Sequence, residues 1–202
     1  MKLKQLLAVA ALLVAPAFAS ATPSLLTNGS FEAPDIAPGT WGIFGAVPGW
    51  SSSQFGIEVR DNNAGTAYDG TQFVELDTTT NSWMSQSVST VGGMHYVLSF
   101  AYSPRPGVAM TSNKIDVWWN GAKVGSANGS GVGQADHTWM MYEFDLYGIF
   151  GMSELKFVAA GNADSLGGSL DAVTLVVPEP GVAGMMLAGL GLLAFAARRR
   201  QV

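Results

Sequence analysis

Through the middle of the chain, apolar and polar residues alternate with a period of two over short runs, and helical periodicity is nearly absent. Phe55–Arg60, Gln72–Leu76, Trp83–Val88, Tyr96–Tyr102, Lys114–Trp119, Trp139–Leu146, Ser153–Val158 and Ser169–Val177 are predicted strands, separated by clusters of Gly, Asn, Ser and Pro. In one of them Tyr96, Leu98, Phe100 and Tyr102 share a face, with Ser99, Ala101 and Ser103 on the other. Asn120-Gly121 predicts a two-residue hairpin turn, because both central positions need positive φ. Eight or nine such strands, with no internal repeat, predict an all-β fold: an antiparallel β-sandwich of the jelly-roll type.

The two ends of the chain break this pattern. Lys2 and Lys4 precede an apolar run from Leu6 to Val14, too short to span a bilayer, and Ala17-Phe18-Ala19 follows. This is the three-part order of a secretory signal peptide, with cleavage by signal peptidase expected before Ser20. At the other end Val177-Pro178-Glu179-Pro180 interrupts the last strand, since proline lacks a donor and fixes φ. Gly181 to Ala197 then carries no charge, and Arg198, Arg199 and Arg200 close the span. Seventeen helical residues reach about 26 Å, near the ~30 Å hydrocarbon core. Arginines directly after a span hold that end in the cytoplasm. The expected organisation is a signal peptide over 1–19, a β-sandwich domain over 20–177, and a sorting tail with a transmembrane helix over 178–202.

Pro178, Glu179 and Pro180, the glycine-bearing apolar span and the terminal arginines together resemble a PEP-CTERM sorting signal. The resemblance implies an exported protein held transiently in the inner membrane. An exosortase, a membrane-embedded transpeptidase-like enzyme, then processes it near the Pro-Glu-Pro motif. It further implies a final place at the cell surface or in the biofilm matrix of a Gram-negative bacterium that makes exopolysaccharide.

With both ends removed, about 155 residues remain, enough for one sizeable core. There is no cysteine, so no disulfide supports the exported domain. Between Ser20 and Val177 fourteen Asp and Glu stand against five Lys and Arg, a balance of −9. Such a surface repels phosphate backbones, so nucleic acid is not an expected partner, whereas neutral glycans and divalent cations are compatible with it.

Leu26-Thr27-Asn28-Gly29-Ser30-Phe31-Glu32 opens the domain and Leu170-Asp171-Ala172-Val173-Thr174-Leu175 closes it. Between them stand Pro48-Gly49-Trp50, Asp69-Gly70-Thr71-Gln72-Phe73-Val74-Glu75-Leu76 and Tyr96-Val97-Leu98-Ser99-Phe100. This ordered set resembles the galactose-binding-like jelly rolls, which include many carbohydrate-binding modules. The resemblance implies one structural Ca²⁺ where the first and last strands meet, with Glu32 and Asp171 as ligands. Calcium takes six to eight oxygens, so backbone carbonyls and water must join the two carboxylates, and Asn28 or Asp35 are further candidates.

On the strand Lys114–Trp119, Trp118 and Trp119 point to opposite faces, and Trp119 shares parity with Ile115 and Val117, which assigns it to the core. Trp118 then lies beside Asp116 and Asn120, an indole among polar side chains, and these three are the expected sugar-binding residues. Trp41 and Phe44 lie in a Gly/Pro-rich loop that also offers aromatics, while Trp50 there is expected to plug the core. Tyr68, Asp69 and Arg105 read as ordinary surface residues. Glu58, Asp61, Glu75 and Asp77 read as the solvated face of strands rather than as a glycosidase carboxylate pair. His95 and His137 lack any metal-ligand spacing, no nucleophile elbow occurs, and a non-catalytic protein is expected. The functional expectation is association with extracellular polysaccharide. The alternatives are a purely structural matrix component and a polysaccharide hydrolase.

Overall fold

The computed structural model describes residues 22–178 together with residues 189 and 190. The expected signal peptide, Glu179, Pro180, Arg198, Arg199, Arg200 and the rest of the expected span lie outside the described residues. Among the described residues, no helix is long and apolar enough to cross a membrane.

Residues 22–178 form a jelly-roll sandwich of two six-stranded antiparallel sheets. The first sheet has the order β1 (Trp41–Phe44), β4 (Ile57–Asp61), β5 (Gln72–Glu75), β12 (Ser169–Val176), β7 (His95–Ser103) and β10 (Met140–Tyr147). The second has β2 (Ala46–Val47), β3 (Trp50–Ser52), β6 (Trp83–Thr90), β11 (Gly151–Ala159), β8 (Ile115–Trp119) and β9 (Ala122–Ala127). All eight predicted strands are present, with ends shifted by no more than two residues. The additional strands β1, β2 and β3 come from the Gly/Pro-rich stretch, where runs of two to four residues are too short to show a period. Strand β9 completes the Asn120-Gly121 hairpin, whose central residues have φ of 50° and 77° as that turn requires.

The inner faces bury the alternating side chains. Tyr96, Leu98, Phe100 and Tyr102 of β7 all point into the core, as their spacing predicts. Phe100 is the centre of an aromatic group, stacked on Tyr142 and Phe144 at 5.5 and 6.0 Å and edge-on to Phe157 at 5.1 Å. Trp119 is buried with Ile115 and Val117, and its indole Nε1 donates to Tyr147 O. Trp50 plugs the core against Phe31 and Phe157, its Nε1 donating to Asn28 O.

The outer face of the first sheet differs from expectation. Every residue of β4 and β5 is buried, and so are Ala101 and Ser103 on the far side of β7. Glu58, Asp61, Glu75 and Asp77 therefore line no solvated strand face. The loops 104–113, 128–138 and 160–168 fold over the sheet and hold on to it by side-chain bonds. Tyr102 OH donates to Asn113 O, Thr138 N donates to Ser103 Oγ, and Gly167 N donates to Glu75 Oε1. These loops mark one end of the sandwich. The turns 91–94 and 148–150 mark the opposite end, where β7 begins beside Tyr147 and β12 finishes beside Val97.

The two termini of the domain meet along β12. Leu25 N donates to Leu175 O at 2.8 Å and Val173 N donates to Gly29 O at 2.9 Å. Gly29 is required there: a Cβ would collide with Val173 O, and backbone cannot retreat as a flexible side chain can. We expect Gly29→Ala to destabilise the domain by about 2 kcal/mol or more, within the range for overpacked sites. Gly45→Ala, where a Cβ meets nothing within 4 Å, should leave it unchanged. Thermal unfolding of the two variants checks the contrast.

Candidate functional site

Glu32 and Asp171, the expected calcium ligands, both grip the loop that leads into β5. Asp171 Oδ2 accepts from the amides of Tyr68 and Asp69 at 2.8 and 2.9 Å, and its Oδ1 accepts from Ala172 N at 2.6 Å. A bulge in β12 between Asp171 and Thr174, with Ala172 at φ 47°, accompanies this arrangement. Glu32 Oε1 accepts from the amides of Thr71 and Gln72 at 2.9 and 2.8 Å, and Oε2 accepts from Thr71 Oγ1 at 3.2 Å. Of the roughly four lone pairs on each carboxylate, three are thus used on each. Asn28 is committed elsewhere, its amide bonding both the N and the O of Ala33. No group of three or more His, Cys, Asp or Glu able to hold a metal occurs among the described residues. Each carboxylate keeps about one lone pair outside these bonds. Burial favours the neutral form of Asp171, pushing its carboxyl up to about 7 although three amides pull the other way.

At the loop-covered end of the first sheet lies a cleft of about 350 Å³. Its walls include the rings and side chains of Trp41 and Ile43 on β1, and its floor is a buried ionic network on β4 and β5. Trp41 is 54% exposed, and its strand register sets it beside Arg60, whose guanidinium carbon lies 5.8 Å from the indole centroid. Arg60 pairs with Glu58, places Nε 3.3 Å from Glu75 Oε2, and donates from Nη1 to Asn63 Oδ1 at 3.0 Å. Arg105, expected at the surface, reaches inward instead. Its Nη1 donates to both oxygens of Glu75 at 2.8 and 3.0 Å and to Ser165 O at 3.2 Å. Burial pushes the Glu75 carboxyl up to about 7, against the pull of Arg105, Arg60 and the Gly167 amide. Burial also raises Glu58 and Asp77 above the ordinary carboxylate range.

This cleft combines an open aromatic face with polar groups whose positions are fixed by their own bonds, the arrangement that fits sugar rings. The carboxylates Glu58 and Glu75 face each other across β4 and β5, but both are almost wholly buried and engaged with arginine. They shape the floor of the cleft and are held there by Arg60, Arg105 and the Gly167 amide. The sequence offered Trp41 as a loop aromatic, but Arg105, Glu58 and Glu75 read there as surface groups, so the site did not assemble. The pairing of Arg60 and Arg105 with carboxylates on strands that have no exposed position depends on long-range contacts that leave no local pattern.

The expected sugar-binding residues lie on the outer face of the second sheet. Trp118 is half-buried, in register with Lys156 on β11 and Lys123 on β9, and its indole Nε1 is buried without a hydrogen-bond partner. Asp116 shares that face, but it is held by Lys123 at 2.8 Å, by Lys114 at 3.6 Å and by the Ser126 hydroxyl. Burial pulls its carboxyl up, yet these partners prevail and leave it below its ordinary value. Asn120 uses its amide internally: Nδ2 donates to Ser153 Oγ and Oδ1 accepts from Glu154 N. The structure thus brings Trp118 and Asp116 together and turns Asn120 to holding the hairpin on β11. Neither histidine joins a cluster of ligands. His95 pairs with Asp145, and His137, pulled down by burial, bonds Thr66 O and Ser169 Oγ. His137 also belongs to an aromatic group with Phe73, Trp139 and the exposed Tyr68, which sequence reading did not assemble.

Residues 176–200 match the PEP-CTERM protein-sorting motif. No curated protein is similar enough to count as a match. Among solved structures, the chain is similar to TmCBM61, a module solved in complex with β-1,4-galactotriose. The likeness has 21% identity and a TM-score of 0.52, and it covers 78% of this chain and all of that one. It is also similar to a family 35 carbohydrate-binding module from Clostridium thermocellum, at 14% identity and a TM-score of 0.46, over 67% of this chain and 97% of that one. The chain carries a PEP-CTERM sorting motif directly behind an all-β jelly roll with the fold of carbohydrate-binding modules.

Proposed function

We propose that this is an exported, exosortase-processed surface or matrix protein whose sandwich binds extracellular polysaccharide non-catalytically in the Trp41 cleft. The observation that carries the reading is an exposed indole on the wall of a concave site floored by an arginine–carboxylate network. The sorting motif supports export, and the fold it shares with TmCBM61 makes β-1,4-linked galactose oligomers the first probe to try. The Trp118 face is the second reading, because it too sets an indole beside polar residues. The cleft is favoured over it by exposure: Trp118 is half-buried, whereas the Trp41 ring is open to a ligand.

Binding is checked by a glycan array that includes β-1,4-galactan fragments, followed by titration of tryptophan fluorescence. We expect Trp41→Ala to weaken binding about tenfold or more, near 1.4 kcal/mol, with an unchanged melting temperature. Trp118→Ala should bind as the parent does. The reverse pattern would return the site to the second sheet, and no binding by a folded parent would leave the structural matrix role.

For Glu32 and Asp171 we propose one structural calcium ion, completed by backbone carbonyls and water. Its support is the convergence of both carboxylates on one loop, with a cation able to stabilise the ionised form of buried Asp171. Chelation with EGTA should then lower the melting temperature by several degrees, and Ca²⁺ but not Mg²⁺ should restore it. An unchanged value would mean that the amide hydrogen bonds hold the loop alone.

A further inference from the structure

The end of the sandwich opposite the cleft is apolar and open. Phe150 is 88% exposed, and Val91, Met94, Tyr147, Ile149 and Met152 are exposed around it. They form one tip because the two turns that carry them are bonded together: Gly93 N donates to Gly148 O and Gly148 N to Met94 O, both at 2.9 Å. The tip is rigid as well. Thr90 Oγ1 donates to Ile149 O, Trp119 Nε1 donates to Tyr147 O, and the Phe150 ring lies against Gly92, where a Cβ would come within 2.6 Å of it. A soluble surface has no use for a fixed cluster of this kind, and such patches mark interaction sites.

What covers the tip follows from where the chain goes. Strand β12 ends at Val176 beside Val97, at this same end, and the uncharged stretch begins five residues later at Gly181. Five residues span at most about 18 Å when fully extended. If Gly181–Ala197 crosses the bilayer, the tip is leashed within that distance of the lipid surface. Leu25 is also exposed and bonds to Leu175, so it adds to the apolar surface at this end. The only charged groups in the two turns and their flanks (residues 91–97 and 145–152) are His95 and Asp145, which pair with each other at 2.6 Å. No lysine or arginine is there to seek anionic headgroups.

We propose that this tip docks on the bilayer surface while the chain is anchored, seating Phe150, Ile149 and Met152 among the acyl chains and Tyr147 at the headgroups. The proposal rests on the reading of residues 181–197 as a membrane span. Interfacial tyrosine and inserted aliphatic side chains are the usual form of such contacts. Docking keeps Pro178 and the sorting motif at the lipid surface. It also sets the Trp41 cleft away from the lipid, because Trp41 pairs with Arg60 near the level of Ala101, six residues or about 20 Å along β7 from His95.

The absence of cysteine allows a direct test. The full chain is reconstituted in phosphatidylcholine vesicles with one nitrobenzoxadiazole-labelled cysteine, at Val91→Cys in the tip or Thr79→Cys at the cleft. Flotation reports anchoring, and nitroxide-bearing lipids report contact. We expect the Val91 label to be blue-shifted and quenched several-fold more than the Thr79 label, independently of salt. In a Phe150→Asp background, with circular dichroism unchanged, the two should become equal. A chain that floats with equal labels overturns docking alone. A blue shift without quenching by lipid assigns the tip to a second copy of the chain and overturns it too. A chain that does not float overturns the anchoring reading, and docking with it.

Discussion

The carboxylate of Glu75 is the point on which the functional end of this domain is assembled. It is nearly inaccessible to water, yet it takes two bonds from Arg105, one from the Gly167 amide, and lies 3.3 Å from Arg60. Each partner comes from a different part of the chain. Arg105 brings the loop after β7, Gly167 brings the loop before β12, and Arg60 ties in β4 with Trp41 above it. Burying a carboxylate costs several kcal/mol unless it is paired, so the loops that provide the partners are fixed once Glu75 is fixed. The cleft is the space these loops enclose.

This network also explains which parts of the molecule were legible in the sequence. Strands with one buried face announce themselves by alternation, and Tyr96–Tyr102 and Lys114–Trp119 did so down to the inward choice of Trp119 over Trp118. Strands β4 and β5 are buried on both faces, and their alternating acids imitate a solvated strand. Only the position of Arg60, Arg105 and the covering loops separates the two cases, and those are long-range facts. Trp41 was visible as a loop aromatic, but its partnership with Arg60 depends on β1, a four-residue strand with no period to read. Asn120 shows the opposite failure. Its sequence neighbours place it beside Trp118 on a face, while the hairpin geometry that requires its positive φ turns its amide toward β11.

Glu32 and Asp171 were legible as a pair because each stands in a recognisable segment at an end of the domain. What their segments could not show is the shared target. Both bind amides of the Tyr68–Gln72 loop, from the two ends of the domain that Gly29 and Val173 bring together. Without cysteine, this junction is where the chain must be closed by other means. A carboxylate saturated by amides and a carboxylate shared with a cation both close it. They differ in charge balance, and the burial of Asp171 is the reason the balance matters.

The two ends of the sandwich carry opposite chemistry, and the strands between them make that separation a property of the fold. Antiparallel β6, β7, β10, β11 and β12 run from a tip of exposed apolar side chains to a loop-covered end rich in buried charge. The chain leaves toward its sorting motif from the apolar end, so a tethered domain presents the polar end to the exterior whatever its ligand. Trp41 and Trp118 both lie on outer faces of the sandwich and at similar heights: Trp41 pairs with Arg60 near the level of Ala101, and Trp118 pairs with Lys156 on β11. What separates the two faces is exposure: the Trp41 ring is open over a concave site, whereas Trp118 is half-buried with its indole Nε1 shielded from water.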